Sequence, residues 1–388
     1  MSETQSSSQP IVIIGTGLAG YTLARELRKL DRQTPLVLLS KDDGASYSKP
    51  MLSAALAQGK TPADLTLAKA ASMAEQLAAD IRPHTVVTGI DPAGHRVRLG
   101  EGVLEYRQLV LAVGASPIRL PLAGDAAGEV FSVNNLADYS RFRAMADPAR
   151  RVAVIGAGLI GCEFANDLAA VGKEVVVIAP EATPLGRLLP PQAGAALQQG
   201  LAEAGVQWRL GATVEAVNRR ADGLRLRLSD GQTLETDGVL AAVGLCPDTR
   251  LAEQAGLAVA RGVAVNRELR SSDPDIFALG DCAEVAGLVL PFVMPIMHAA
   301  RALAKTLAGQ PTPVTYPAMP VVVKTPAHPV VVTPPPAGAP GSWQVERRPE
   351  GVRARYLGPD GALLGFALTG ALVAEKQALT RELPPLLA

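Results

Sequence analysis

Two glycine-rich turns are the places in this sequence where residue type and spacing most clearly allow chemistry. Each turn follows a short apolar stretch, at residues 11–14 and 152–155, that is typical of a strand buried on both faces. Their glycines have G-x-G-x-x-G spacing and are Gly15, Gly17, Gly20, Gly156, Gly158 and Gly161. This spacing allows a tight turn, a close approach of backbone to pyrophosphate, and a helix packed against the strand.

The helices after these turns must position the bound group. A helix predicted over residues 21–30 aims its free N–H groups and the positive end of its dipole at the phosphates. The second turn leads into a helix that is expected to end near Val171. Two such units predict two bound dinucleotides, and two dinucleotides indicate a transfer of electrons from one to the other.

A carboxylate that binds the ribose is expected about 20 residues after each turn, at the end of the next strand. After the strand predicted over residues 35–39 the chain has Ser40, with Asp42 close behind. Either side chain is a candidate for the first ribose. In the second unit Glu181 comes two places late, and no Arg or Lys lies within three residues of it to bind a 2′-phosphate. The sequence therefore favours NADH over NADPH.

The bulk composition narrows the class of protein. The 388 residues include 37 basic and 37 acidic side chains, so no strong overall field favours nucleic acid or an anionic membrane. The N-terminal MSETQSSSQP lacks the apolar centre of a signal peptide, and no apolar run approaches the length of a membrane span. We expect a cytoplasmic protein of two or three domains that binds neither nucleic acid nor membrane.

The cysteines argue against disulfide and metal chemistry. The chain has three of them, Cys162, Cys246 and Cys282, and they are far apart in sequence. No close pair is available for redox chemistry, and a cluster or zinc site built from dispersed ligands has no spacing signature in this sequence. No metal site is predicted, and each cysteine is expected to be a small buried apolar residue.

Two similar segments predict where the chain passes between the units. An apolar strand at residues 109–113 ends at Gly114 and a proline-rich turn, and residues 240–244 repeat this pattern before Cys246. We therefore expect one crossing near residues 117–121 and a return just after Gly244.

The last 80 or so residues have a different character, since short strands alternate with Pro and Gly. They predict a small antiparallel sheet with helices on one side. The predicted strands are residues 319–325, 328–333, 343–346, 352–357 and 363–368, with a closing helix at 373–379.

Three further polar or proline positions are candidates for cofactor contacts. Lys49 and Pro50 begin a short helix, where the lysine could neutralise a pyrophosphate or lie on the surface. Asp281 follows an apolar strand at the expected start of a helix, where it could bind a ribitol hydroxyl or simply cap the helix. Pro295 stands just before the helix predicted from Ala299, either against a ring edge or as a helix initiator.

Taken together, these residues resemble the FAD-dependent pyridine nucleotide oxidoreductases and, among them, the rubredoxin reductases (NADH:rubredoxin oxidoreductases). The resemblance covers almost the whole chain. The motifs that carry it are VIIGTGLAGY (12–21), SYSKPMLS (46–53), GAGLIGCEFANDL (156–168), AVGLCPDT (242–249), IFALGDCAEV (276–285) and VKTPAHPVVV (323–332). The segment at residues 47–53 stands where the disulfide reductases of this superfamily have their cysteine pair, so disulfide chemistry is set aside.

The resemblance implies an α/β fold with two Rossmann-like domains, one for FAD and one for NAD, and a small α+β C-terminal domain. The implied boundaries are 1–116 with 238–308 for FAD, 117–237 for NADH, and 309–388 for a domain that covers the flavin face and helps to dock the partner. The implied cofactor-binding residues are Gly15, Gly17, Leu18, Ala19, Gly20, Ser40, Lys49, Pro50, Val87, Ala112, Gly114, Gly156, Gly158, Leu159, Ile160, Gly161, Glu181, Gly244, Gly280, Asp281, Pro295 and Lys324.

Glu163 and Lys324 are the candidates for catalysis. With the resemblance, Glu163 belongs to a helix that points towards the flavin, and a cation such as Lys324 near the ring would favour the anionic reduced flavin. The alternatives are a first-turn glutamate that complements the helix dipole and an edge-strand lysine that prevents aggregation.

The resemblance implies an NADH-dependent enzyme that passes single electrons to rubredoxin and so supports a hydroxylase in alkane degradation, or a detoxification system. One alternative is a reductase for a ferredoxin, a Rieske protein or a flavorubredoxin. Another is a flavoprotein that senses redox state. Turnover with different acceptors separates the first two, and rapid loss of flavin colour on addition of NADH would argue against the third.

Overall fold

The computed structural model describes residues 9–388. The helices predicted after the two glycine turns and near Ala299 are present. Within these residues the 3-10 helices are Lys49–Ala54, Ala127–Glu129 and Gly370–Glu375. The α-helices are α1 (Leu18–Leu30), α2 (Ala70–Leu77), α3 (Leu136–Ala146), α4 (Leu159–Ala170), α5 (Pro191–Glu203), α6 (Arg250–Gln254), α7 (Val293–Leu307) and α8 (Lys376–Glu382). Four of them, α2, α3, α5 and α6, are not predicted from the sequence. No helix in residues 9–388 is both long and apolar enough to cross a membrane.

The first sheet has five parallel strands with the strand before the first glycine turn at its centre. All four residues of that strand, Ile11–Ile14, are buried, as expected for a strand covered on both faces. In spatial order the strands are Ile276–Ala278, Gln108–Leu111, Ile11–Ile14, Leu36–Leu39 and Asp80–Arg82. One edge strand comes from far along the chain, so two separated sections build this sheet.

The second sheet repeats the parallel arrangement around the second glycine turn. Its order is Val206–Leu210, Glu174–Ala179, Arg151–Ile155 and Gly238–Ala241. The predicted boundary at residue 238 is therefore too early, because it falls at the start of a strand that belongs to this sheet. The strand Gly238–Ala241 pairs with Arg151–Ile155, so the chain leaves the second unit only after this strand, near Gly244.

The two crossings between the units form an antiparallel pair of short strands, Ala115–Pro117 and Leu245–Pro247. This agrees with the two proline turns of the sequence. Smaller antiparallel sheets and strand pairs fill the loops, and the remaining strands are Ser46–Tyr47, Thr66–Ala68, Val87–Asp91, Arg96–Leu99, Val103–Glu105, Val214–Arg220, Gly223–Leu228, Thr233–Thr236, Val263–Val265 and Ala283–Val285.

The C-terminal section forms a five-stranded antiparallel sheet. Its order is Val321–Val323, Val330–Thr333, Leu363–Thr369, Gly351–Leu357 and Ser342–Arg348. The predicted closing helix at 373–379 is divided between a 3-10 helix and α8. The prediction of an α/β chain with two parallel-sheet units and a small α+β C-terminal domain is confirmed.

The hydrophobic core shows which parts hold together. Apolar side chains of the C-terminal sheet, such as Val330 and Ala367, are fully buried in the same cluster as Leu197 and Leu201 of α5. Each buried side chain of the size of Val or Leu contributes about 1.5–3 kcal/mol. The C-terminal sheet is therefore packed on the second unit, which brings Lys324 towards α4.

Candidate functional site

The outer glycines of the first turn are required by backbone packing. Gly15 has a φ of +117°, and a Cβ atom on it would lie 2.2 Å from the carbonyl oxygen of Ala112. A Cβ atom on Gly20 would lie 1.9 Å from the carbonyl oxygen of Gly15. The first glycine therefore makes the turn against the neighbouring strand, and the third lets α1 pack on it.

The second turn has the same construction. Gly156 has a φ of +108°, and its Cβ position lies 2.6 Å from the carbonyl oxygen of Ala242. The Cβ position of Gly161 lies 2.0 Å from the carbonyl oxygen of Gly156. The two glycine turns therefore share their backbone conformation and close packing as well as their sequence pattern.

The middle glycines face open space and provide the test of whether dinucleotides fit. In the part of the chain that the structure describes, no heavy atom lies within 4 Å of a Cβ atom built on Gly17 or on Gly158. Both residues are N-caps, of α1 and α4, and neither helix start has a side-chain cap. Free N–H groups at a helix start beside open space fit a pyrophosphate. Leu18, Ala19, Leu159 and Ile160 form the first turns of these helices.

The expected ribose contacts are arranged differently in the two units. The buried Ser40 hydroxyl accepts a hydrogen bond from the Thr16 hydroxyl at 2.7 Å and donates one to the Asp42 carboxylate. Asp42 also accepts the backbone N–H of Gly44 at 3.0 Å. The Ser40 hydroxyl thus orients the Asp42 carboxylate. Its single O–H donor is engaged with that carboxylate, which leaves Asp42 as the candidate for the ribose. In the second unit Glu181 lies 3.6 Å from the exposed Arg187.

Lys49 and Asp281 come together beside the first glycine turn. Their ammonium and carboxylate groups are 3.7 Å apart. Burial lowers the pKa of Lys49, and the negative charge of Asp281 opposes that shift. A Cβ atom on Gly280, which has a φ of +82°, would lie 2.8 Å from the Cβ atom of Ala19. Lys49, at the start of the 3-10 helix, is half-buried beside Asp281. The turn at Gly280, just before Asp281, packs against the start of α1.

The prediction that Asp281 begins a helix is wrong. A turn and the strand Ala283–Val285 follow it, and α7 begins only at Val293. The left-handed backbone of Gly280 reverses the chain here, and this favours a turn. Pro295 is buried inside the first turn of α7 and not before the helix, because a proline needs no N–H partner in a first turn.

The remaining predicted cofactor positions lie at the edges of the two units. Ala112 contacts Gly15 as described above, and Gly114 directly precedes the first crossing strand. Gly244 precedes the second crossing strand and has a φ of +112°. Pro50 lies in the 3-10 helix Lys49–Ala54, and Val87 begins a strand whose sheet packs on the first core.

Glu163 and Lys324 meet, and a third side chain joins them. The Lys324 ammonium contacts Oε2 of Glu163, and the Lys324 backbone N–H donates to Oε1 at 3.0 Å. The Ser53 hydroxyl donates to Oε2 at 2.5 Å and lies 3.0 Å from the ammonium nitrogen. We call these three residues the Ser53 cluster. Glu163 is only 4% exposed and lies in the second turn of α4.

The geometry of the Ser53 cluster disagrees with both alternatives given above, a glutamate that complements the helix dipole and a lysine that protects an edge strand. A glutamate that complements a helix dipole would stand in the first turn and in water, whereas Glu163 is buried and paired. A lysine that blocks an edge strand would point into solvent, whereas Lys324 is tied to another element. Sequence reasoning missed Ser53 as a site residue, because 110 positions separate it from Glu163 and no local pattern links them.

The cysteines agree with prediction in two cases of three. Cys162 and Cys282 are buried, and burial raises the pKa of their thiols to about 12 and about 11. Cys246 is exposed, so the expectation of burial is wrong for it, because it lies on the short strand of the second crossing. Between residues 9 and 388, no group of three or more His, Cys, Asp or Glu side chains is placed to hold a metal ion.

Comparison with known proteins agrees with this geometry along nearly the full length. A family model described as pyridine nucleotide-disulphide oxidoreductase matches residues 9–305, and one described as rubredoxin binding C-terminal domain matches residues 313–383. The rubredoxin-NAD(+) reductase of Alcanivorax borkumensis is 52% identical over 97% of this chain and 99% of its own. That of Acinetobacter baylyi is 46% identical over 96% of each chain.

A solved structure supports the same assignment. The covalent complex of putidaredoxin reductase with putidaredoxin superposes with a TM-score of 0.87 at 28% identity, over 97% of this chain and 94% of that one. The similarity thus includes both sheet units, both glycine turns and the C-terminal sheet. The chain belongs to the pyridine nucleotide-disulphide oxidoreductase family.

Proposed function

We propose that this protein is an FAD-dependent enzyme that oxidises NADH and reduces rubredoxin. The observation that carries the proposal is that the similarity to two rubredoxin-NAD(+) reductases extends over the whole chain, including the C-terminal sheet. When bound, FAD supplies a ring that takes up a hydride from NADH and releases electrons one at a time. The residues of this chain provide binding, orientation and charge.

The two glycine turns divide the binding of the dinucleotides between them. The start of α1 beside Gly17 would hold the FAD pyrophosphate, and Asp42 and Lys49 would serve its ribose and phosphates. The start of α4 beside Gly158 would hold the pyrophosphate of NADH. Glu181 would favour the free 2′-hydroxyl of NADH because its charge repels a 2′-phosphate.

The Ser53 cluster provides the charge. Glu163 holds the Lys324 ammonium in place, and that ammonium would stabilise negative charge on a bound flavin. Because Lys324 lies directly after a strand of the C-terminal sheet, the same sheet that meets the partner also contributes this cation. Hydride and electron transfer need no general acid from the protein.

The physiological setting is also part of the proposal. We infer that the reduced rubredoxin serves a hydroxylase in alkane oxidation, with a detoxification system as the other candidate. NADH is a reductant of the cell interior, so we place the reaction in the cytoplasm.

The test is an anaerobic titration of the purified yellow protein with NADH, followed by mixing with oxidised rubredoxin. We expect the flavin absorbance to fall with about one equivalent of NADH and to return as rubredoxin is reduced. Bleached flavin beside rubredoxin that stays oxidised would overturn the choice of partner. Parallel assays with a ferredoxin, a Rieske protein, a flavorubredoxin and oxygen identify the alternative acceptor, and a flavin that NADH does not bleach would favour a sensor.

A further inference from the structure

One face of α4 holds two distant segments of the chain by their backbones. Its three polar side chains, Glu163, Asn166 and Asp167, are spaced i, i+3 and i+4, and all are nearly fully buried. Together they accept four backbone N–H groups. The donors are Lys324 and Ala327 on the C-terminal side, at 3.0 and 3.1 Å, and Leu56 and Ala57 on the other side, at 3.0 and 2.8 Å.

Asp167 anchors the segment that carries Ser53. Its two carboxylate oxygens each accept one N–H, Oδ2 from Leu56 and Oδ1 from Ala57. These two residues come one position after the end of the 3-10 helix Lys49–Ala54, in which Ser53 lies, with Ala55 between. The side chain is 3% exposed, and burial raises the pKa of its carboxyl group. The fold therefore accepts the cost of a buried carboxylate at this place, and the two N–H groups offset it.

We propose that Asp167 is a positioning residue that sets, through Ser53, where the Lys324 ammonium stands relative to the bound flavin. This rests on the proposed function, since it assumes that Lys324 acts on a flavin. Ser53 is one hydrogen bond from both Glu163 and Lys324, whereas Asp167 is hydrogen-bonded to neither and interacts with Lys324 only through its charge. Displacing residues 53–57 therefore changes the hydrogen bonds of the ammonium while Glu163 stays on its helix.

The test variant is Asp167→Asn, and Asp237→Asn is its control. An amide at position 167 offers one acceptor and turns its NH₂ towards the second backbone N–H, so one anchor is lost. The exposed Asp237 also accepts two successive N–H groups, those of Arg150 and Arg151 at 2.7 and 2.8 Å, but both reach the same oxygen, Oδ2. Asp237→Asn therefore makes the same residue change away from the Ser53 cluster, and its amide oxygen can keep both hydrogen bonds.

The measurement is the midpoint potential of the bound flavin in the holoprotein, together with the rate of flavin reduction by NADH. We expect Lys324→Met to lower the potential, because a cation near the ring favours its reduced form. Loss of the Asp167 charge alone would raise the potential, so displacement of the ammonium is the effect that Asp167→Asn reports if it lowers the potential, as we expect. The same variant should slow flavin reduction about tenfold, since a misplaced group costs up to about a hundredfold. Asp237→Asn should match the wild type in both.

A double variant separates positioning from general damage. If Asp167 acts through Lys324, then Asp167→Asn lowers the potential no further in a Lys324→Met background. Additive effects, or equal behaviour of Asp167→Asn and Asp237→Asn, would overturn the positioning role and leave the proposed function standing. An unshifted potential in Lys324→Met would overturn the role of Lys324 itself. If Asp167→Asn does not fold, Ser53→Ala takes its place. It should then lower the midpoint potential in the wild type but no further in a Lys324→Met background, and an equal drop in both would overturn the positioning role.

Discussion

The ammonium of Lys324 contacts the carboxylate of Glu163, although 161 positions separate the two residues in the sequence. The contact joins the C-terminal sheet to the helix of the second glycine turn, and Ser53 adds the first unit through its hydroxyl. Three sections of the chain thus meet in one group of hydrogen bonds. The predictions below begin with this contact.

Removing one member of the pair should cost more than removing both. Lys324→Met leaves the buried Glu163 carboxylate without its cation, which should lower the free energy of unfolding by about 2–4 kcal/mol. Adding Glu163→Gln should recover part of this loss, because the amide carries no charge. Urea unfolding of the wild type, both single variants and the double variant measures the coupling, and strictly additive losses would contradict the prediction.

The two middle glycines should affect different dinucleotides. Gly17→Val fills the open space at the start of α1, so this variant should fold but purify with much less FAD. Gly158→Val makes the same change at α4, so it should keep its FAD and need at least tenfold more NADH for half-maximal flavin reduction. Absorbance of the purified protein and a titration with NADH measure the two effects, and each variant is the control for the other.

Stability should depend on pH through His328. Burial lowers the pKa of His328 below 6.5, so the folded protein favours the neutral ring. As pH falls through 6.5 the unfolded chain binds the proton first, and about 1.4 kcal/mol of stability is lost for each unit of pKa shift. His328→Asn should therefore flatten the dependence of the urea midpoint on pH between 5.5 and 7.5.

The exposed His84 provides the control for this series, since His84→Asn changes the same residue type in a turn. Burial also lowers the pKa of His298, which contributes a slope of the same sign. The His328 variant should therefore keep some slope but less than the wild type. A slope equal to that of the wild type would show that His328 titrates alike in both states.

A glycine inside α5 should resist the substitution that normally stabilises a helix. Alanine for glycine within a helix gains about 0.5–1 kcal/mol where there is room. A Cβ atom on Gly200 would lie 2.5 Å from the Cβ atom of His328, so Gly200→Ala should instead cost about 1–3 kcal/mol. Gly128→Ala, whose Cβ meets nothing within 4 Å among the described residues, is the neutral control. Urea unfolding distinguishes the two.

Local pattern was enough to predict the framework. Residues 11–14 and 152–155 are uninterrupted apolar runs, and the G-x-G-x-x-G spacing that follows each of them is recognisable within a few residues. The strands of the C-terminal sheet are short apolar or alternating stretches separated by Pro and Gly. Such signals act within a few residues, so a single sequence contains them.

The contacts that assemble the site were beyond such patterns. Ser53 and Asp167 have ordinary neighbours in sequence, and their roles come from segments that the fold brings together. Composition predicts α7 only from Ala299, whereas the helix begins at Val293 and includes Pro295, since a proline in a first turn breaks no hydrogen bond. The left-handed backbone of Gly280 produces a turn at Asp281 where a helix is predicted, and the residue type alone does not determine this φ angle.

The paired strands Ala115–Pro117 and Leu245–Pro247 bring the entrance and the exit of the middle section side by side. A section whose two ends meet can be exchanged as a whole, as in domain insertion, provided that its contacts with the rest of the chain are kept. Residues 118–244 form such a section, and the contacts to keep are those of α4 and α5 with the C-terminal sheet and with residues 56–57. Grafting the equivalent section of an NADPH-specific relative between these strands is a direct route to an enzyme with a different reductant and the same acceptor.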